Sequence, residues 1–150
     1  MAATDEQVAT LRAYLAGEFD EYERLSERLD PNVDGEGYGA LIAAGFFEAV
    51  DRRFAGNRAR ADVIEYVGEV RSRSERLSRQ IDPSAAERLV MHSLGEGSID
   101  DLDDKVVAHT QLIVLIPLVG DEELDDAGLT AFMTTVRALA DRMLSSRSRR

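Results

Sequence analysis

The chain has two histidines, His92 and His109, which are its best candidates for acid–base chemistry or metal binding. The metal-binding spacings H-x-x-x-H, H-E-x-x-H and E-x-x-H are all absent around them. There is no cysteine, and therefore no thiolate ligand or cysteine nucleophile. No G-x-S-x-G motif is present to position a serine nucleophile. We therefore expect no enzyme and no cofactor, and we assign no catalytic, metal-binding or cofactor-binding residue.

A polar trio at residues 109–111 enters the most apolar region of the sequence and begins with His109 and Thr110. Buried polar side chains and aromatic residues commonly line small-molecule pockets, so this trio forms a candidate ligand pocket with Phe46 and Phe47. The alternative is that the phenylalanines belong to the core and the polar groups are satisfied inside the fold. The sequence leaves both interpretations open.

Residues 30–39, DPNVDGEGYG, begin like a calcium-binding loop. Asp30, Asn32, Asp34 and Gly35 match D-x-[DN]-x-[DN]-G. The twelfth position should hold a bidentate glutamate, and here it is Leu41. We therefore predict a structural loop between two helices and no calcium site.

The elements that must position these residues are all helical, because apolar side chains recur at spacings of three and four and no sustained alternation occurs. We predict an all-α, single-domain bundle over residues 1–150 with about six helices. Its predicted centre is a helix at about 99–118, which is apolar on every side from Leu112 onward and is kinked or ended by Pro117. Gly45 lies within the apolar face of another predicted helix, where it permits close helix approach.

Three further helices are predicted, and the two at the ends of the chain carry opposite charge. Residues 1–29 read as one long acidic helix with a narrow apolar seam, and Pro31 should stop it. Residues 60–80 read as another single helix. The last helix is amphipathic, and residues 145–150 are predicted to be a frayed basic tail.

The formal net charge is −11, and it is distributed in blocks. Residues 1–51 carry net −9 and residues 80–126 carry net −10, whereas 52–79 and 127–150 each carry net +4. Such alternation can steer a partner or fix the register of a homodimer, or acidic and basic elements can simply face one another. An acidic surface disfavours nucleic acid. Glu21, Glu23 and Glu27 form a candidate surface for a basic protein partner.

Composition also bounds the setting. Lysine occurs once against 17 arginines, which suggests a GC-rich bacterial genome or adaptation to salt. The first residues lack the pattern of a secretion signal, and no apolar run reaches the ~20 residues of a membrane span. We therefore expect a cytoplasmic protein that does not act at a membrane.

The function that follows is a non-enzymatic protein–protein interaction or adaptor protein, a homodimer acting through helical faces and an acidic surface. The alternative is a small-molecule-binding helical sensor with an apolar pocket near Phe46, Phe47 and His109. The helical layout is loosely similar to the ligand-binding halves of bacterial helical repressors. The N-terminal helix-turn-helix of such repressors is absent, because residues 1–30 read as one helix, and the resemblance assigns no residue.

Overall fold

The computed structural model describes residues 2–56 and 59–148, and these ranges contain eight helices and no strand. The all-α prediction is confirmed, whereas the predicted count of about six helices is too low because two of them are divided. The helices are α1 (Asp5–Leu15), α2 (Phe19–Arg28), α3 (Pro31–Phe54), α4 (Arg60–Ser72), α5 (Glu75–Gln80), α6 (Pro83–Ser93), α7 (Asp104–Gly120) and α8 (Asp126–Ser148).

The centre of the fold is α3, which packs against α1, α6, α7 and α8. Gly45 lies where these helices come closest. A Cβ atom built on it would lie 3.3 Å from Leu115 of α7, 3.8 Å from Val136 of α8 and 3.9 Å from Leu11 of α1. The close approach predicted at Gly45 is therefore confirmed.

The N-terminus of α3 replaces the loop predicted at residues 30–39. Asp30 is the N-cap, and its side chain accepts a hydrogen bond from the Asn32 amide at 2.9 Å. Pro31 occupies the first helical turn, where its missing N–H has no intrahelical partner to lose. The loop prediction was wrong because Asp-Pro begins a helix here, whereas we took the proline only as the end of the preceding one.

The predicted helix over residues 1–29 is divided at Gly17, which adopts a φ of +76°. A glycine in this left-handed conformation is a common helix terminator, because other residues meet a steric penalty there. α1 therefore ends at Leu15 and α2 begins at Phe19. The prediction of one continuous N-terminal helix was wrong, and the acidic residues of this segment lie mostly on the separate helix α2.

The predicted helix over residues 60–80 is also divided. Ser74 interrupts it, and its side chain accepts a hydrogen bond from the Leu77 amide at 3.0 Å, which caps α5. Arg71 of α4 holds the short helix α5 in place by donating to the carbonyl oxygens of Ser78 and Ile81 at 3.0 and 2.9 Å.

The run of apolar residues predicted as a helix buried on every side forms α7, which is covered on only part of its surface. Leu115 is buried, but Ile113 is half-buried, and Val106 and His109 are exposed. The reason is that α7 packs against α1, α3 and α6 and leaves its remaining side open. Pro117 does not end the helix, because it lies in the last turn, where one lost backbone hydrogen bond disturbs little.

The final helix, α8, places its apolar face against α3 and extends further than predicted. Residues 145–148 are helical, so this part of the predicted frayed tail is wrong, and residues 149–150 lie outside the described residues. The start of the chain is tied to α8. Arg137 donates to Asp5 at 2.7 Å and to the Ala3 carbonyl oxygen at 2.8 Å.

Two glycines on α3 give a matched test of the central packing. Gly45→Val places methyl groups against Leu115, so we expect a loss of ~1–3 kcal/mol of unfolding free energy, typical of overpacking. Gly39→Ala meets no atom within 4 Å and should stabilise the helix by ~0.5–1 kcal/mol. Urea unfolding measures both, and a Gly45→Val variant as stable as the parent would contradict this packing.

Candidate functional site

A cleft of about 480 Å³ lies between α2 and α5 and is the candidate functional site. Its apolar lining comes from four helices: Tyr14 of α1, Phe19 and Tyr22 of α2, Leu77 of α5, and Ile113 and Ile116 of α7. The volume falls within the range of ~300–1,000 Å³ that is typical of ligand pockets. Apolar side chains are left partly uncovered at this one place on the surface, which makes the region a candidate binding site.

The aromatic side of the cleft is built across the break at Gly17. The Tyr14 ring centroid lies 4.9 Å from that of Tyr22 and 6.2 Å from that of Phe19, the latter in an edge-to-face arrangement. Phe19 is nevertheless 55% exposed, and α2 contains no fully buried residue. The apolar side of α2 is therefore only partly covered by its own chain.

Burial raises the pKa of two tyrosines in this region, Tyr14 and Tyr38. The Tyr14 hydroxyl donates to the Leu112 carbonyl oxygen at 3.3 Å, and burial, with a smaller contribution from Tyr22, raises the pKa of Tyr14 to about 12. Burial likewise raises the pKa of Tyr38 above its ordinary value. The Tyr38 hydroxyl oxygen is buried beside Tyr22 and forms no hydrogen bond of regular geometry with any described residue. An unsatisfied buried polar group of this kind is rare in folded proteins.

The two helices that flank the cleft carry exposed charges of opposite sign, and among the described residues Arg76 is the charged one that lines the cleft itself. On α2, Glu23 and Glu27 are exposed and form no ion pair with any described residue. They follow Phe19 at intervals of four residues, which places them along the same edge of the helix. On α5, Arg76 is exposed, lines the cleft and likewise has no ion pair within the described ranges.

The third predicted surface residue, Glu21, is already engaged. It accepts a hydrogen bond from Arg24 on the same helix at 3.0 Å, and this bond lowers the pKa of Glu21. Of the predicted partner surface, Glu23 and Glu27 therefore offer carboxylates without an ion pair, and Glu21 does not.

The predicted ligand pocket is not assembled from its four residues. Phe46 and Thr110 are buried, at 1% and 3% exposure, whereas Phe47 is 41% exposed and His109 lies at the surface. Consecutive helical residues point about 100° apart, so Phe46 and Phe47 cannot share one face of α3. None of the four lines the α2–α5 cleft.

The residues that do line the cleft were not singled out from the sequence. The usable signal was that Tyr14, Phe19 and Tyr22 follow one another at spacings of five and three. In one continuous helix, a spacing of five would place Tyr14 and Phe19 on different faces. The bend at Gly17 brings them together, and the contribution of α5 depends on tertiary packing.

Other kinds of site have little support in the described parts of the chain. Residues 2–56 and 59–148 contain no group of three or more histidine, aspartate or glutamate side chains placed to hold a metal ion. The Nδ1 atom of His92 is 3.1 Å from the Gly97 carbonyl oxygen, which is a local loop contact. Within the same ranges, no helix is long and apolar enough to cross a membrane.

Comparisons with protein-family models, curated proteins and solved structures give no match to this chain. The function of the chain must therefore be inferred from the geometry of the chain's own residues.

The buried tyrosine gives a prediction for alkaline pH. Because the folded-state pKa of Tyr14 is raised from 10.0 to about 12, its stabilising contribution is complete below pH 10 and is lost as the pH rises toward 12. We expect the unfolding free energy to fall across this window, and to fall less in Tyr14→Phe. Urea titrations at a series of pH values measure this. Equal slopes for the two proteins would contradict the assignment.

Proposed function

We propose that this chain is a non-enzymatic interaction protein that works as a homodimer, in which the α2–α5 cleft of one copy docks on the same face of a second copy. The observation that supports this most directly is an incompletely covered apolar cleft whose flanking helices, α2 and α5, carry charges of opposite sign that form no ion pair with any described residue. The proposal combines the expected homodimer with the expected acidic contact surface.

The apolar helical face that remains available for a dimer contact is that of α2. The last helix, α8, is amphipathic, but its apolar side chains are buried within the monomer: Leu129, Phe132, Met133, Val136, Ala140 and Leu144. In contrast, α2 has no buried residue and exposes more than half of Phe19. A second copy covering this face would remove Phe19, Ile113 and Ile116 from water.

The charges on the helices that flank the cleft make a second copy of the chain a suitable occupant. A two-fold interface brings the same patch of both chains together, so it is favoured when the patch is self-complementary. Here Glu23 and Glu27 of one copy would meet Arg76 of the other, and the reverse pair would form at the same time. The basic face expected of a partner is thereby provided by the chain itself, in its net +4 block at residues 52–79.

A small-molecule sensor is the second candidate function, and one specific observation favours it. The buried Tyr38 hydroxyl forms no hydrogen bond of regular geometry with any described residue and belongs to the tyrosine group beside the cleft. A ligand with a hydrogen-bond acceptor could satisfy it if α2 moved outward.

Native mass spectrometry of protein purified from its own host separates the candidates, since a sensor should retain a small molecule and a dimer should show only twice the chain mass.

A charge-exchange experiment tests the dimer. The parent should have twice the 16.6 kDa of one chain in light scattering at micromolar concentration. Glu23→Arg/Glu27→Arg and Arg76→Glu should each weaken self-association by about tenfold or more, because like charges then face each other. Mixing the two variants should restore the dimer, since both sets of pairs become complementary.

The controls are matched in exposure. Arg142→Glu changes an exposed residue of α8 and should leave the association unchanged. Phe19→Ser should weaken it, whereas Phe47→Ser, which alters another exposed phenylalanine, should not. A monomeric parent, or a mixture that remains monomeric, would contradict the proposed dimer. If a basic protein then binds in a way that depends on Glu23 and Glu27, the cleft belongs to a different partner.

A further inference from the structure

A second cleft, also of about 480 Å³, lies at the junction of the C-terminal end of α3 with α4 and the end of α7. Arg53, Asp62, Glu65, Tyr66 and Asp121 are among its lining residues. We propose that this cleft binds a small zwitterion of the amino-acid class, with Arg53 contacting the ligand carboxylate and Asp62 and Glu65 contacting its ammonium group. This site goes beyond the dimer proposed above and does not depend on it.

Arg53 is positioned for carboxylate binding by two aromatic rings. The central carbon of its guanidinium lies 4.8 Å from the Tyr66 ring centroid and 5.2 Å from that of Phe54. It forms no ion pair or hydrogen bond with any residue in the described ranges. Stacking engages only the face of the guanidinium and leaves its in-plane N–H groups available for bidentate binding of a carboxylate.

Asp62 and Glu65 provide the opposite charge. They are three residues apart on α4, so both project toward the same side of the helix. Neither forms an ion pair with a described residue. Among the described residues, the cleft therefore contains one unpaired cation and two unpaired anions, a combination that a ligand carrying both charges can satisfy.

The remaining charged residues of the cleft form a closed network that fixes its wall. Arg73 donates to Asp121 at 2.8 and 2.9 Å, and the Tyr66 hydroxyl donates to Asp121 at 3.3 Å. Arg73 also pairs with Glu69 at 2.8 Å. The hydrogen bond from Arg73 lowers the pKa of Asp121, and burial raises the pKa of Tyr66. These partners hold the ring on which Arg53 stacks.

The presence of both signs of charge favours a zwitterion over simpler ligands. Asp62 and Glu65 would repel phosphate, and they would also weaken the binding of a monocarboxylate. A diamine would pair with the carboxylates but would leave Arg53 facing another cation. An amino acid places its carboxylate and its ammonium group close together, so it engages both sides with a single small molecule.

The test uses the full-length protein and the standard free L-amino acids as probes, each at millimolar concentration. Backbone amide shifts in NMR spectra and the melting temperature are recorded, with acetate, putrescine and inorganic phosphate as comparison compounds that carry charge of one sign only. At least one amino acid should produce saturable shifts at Asp62, Glu65 and Tyr66 and raise the melting temperature. The comparison compounds should produce neither effect.

Variants separate the two arms of the site. Arg53→Gln should weaken amino-acid binding by about tenfold or more, because a charged hydrogen-bond partner is lost. Asp62→Asn/Glu65→Gln should do the same. Because Asp62 is partly exposed and Glu65 is exposed, this second variant serves if Arg53→Gln proves unstable. Arg142→Gln, on an exposed part of α8, should bind as the parent does.

Each contrary result overturns a defined part of the proposal. If no amino acid shifts these resonances, Arg53 only covers the aromatic rings and the site does not exist. If acetate or phosphate binds as well as the best amino acid, the ammonium contact is wrong. If Arg53→Gln binds as tightly as the parent, the ligand occupies another place.

Discussion

The close approach of α3 to three other helices at Gly45 is the constraint on which the rest of the fold depends. Side chains from α1, α7 and α8 come within 4 Å of the position a Cβ would take there. Since glycine has no side chain, Leu11, Leu115 and Val136 can meet over one point of α3, and each is almost fully buried. Protein interiors are packed too densely to absorb extra atoms without strain. The order of the helices around α3 therefore depends on this one position.

Concentrating the packing around α3 leaves two helices at the edge. The side chains of α2 and α5 are nowhere fully buried, and α5 is tied to α4 by the bonds that Arg71 donates. The open side of α7 lies between them and exposes part of Ile113 and Ile116. The apolar cleft thus follows from the architecture, because α3 buries the other side of α7 and no helix of the described chain fully covers this one.

The sequence predicted the features that depend on local pattern. The amphipathic faces of α3 and α8, the role of Gly45 and the absence of strands from the described residues all follow from the spacing of apolar side chains. Helix boundaries were harder to predict. Gly17 can lie within a helix or end one, and Asp30–Pro31 can mark the end of one helix or the start of the next. Because the sequence of α7 is apolar on every side, we predicted that this helix is fully buried, which was wrong. A sequence pattern does not show how many other helices are available to cover it. Both clefts combine side chains from distant segments, and no local pattern in the chain brings Arg53 or Arg76 to its position.

Hydrogen exchange measured at low and high protein concentration tests this account most directly. Amides that exchange only through global unfolding report the most stable part of a fold, whereas peripheral elements open locally. At both concentrations, the amides of α3 around Gly45 should exchange slowest. Those of α2 and α5 should exchange faster at low concentration and should gain protection at high concentration as the second copy covers the cleft. Fast exchange of the amides around Gly45 would contradict this account. Exchange of the α2 and α5 amides that does not change with protein concentration would also contradict it.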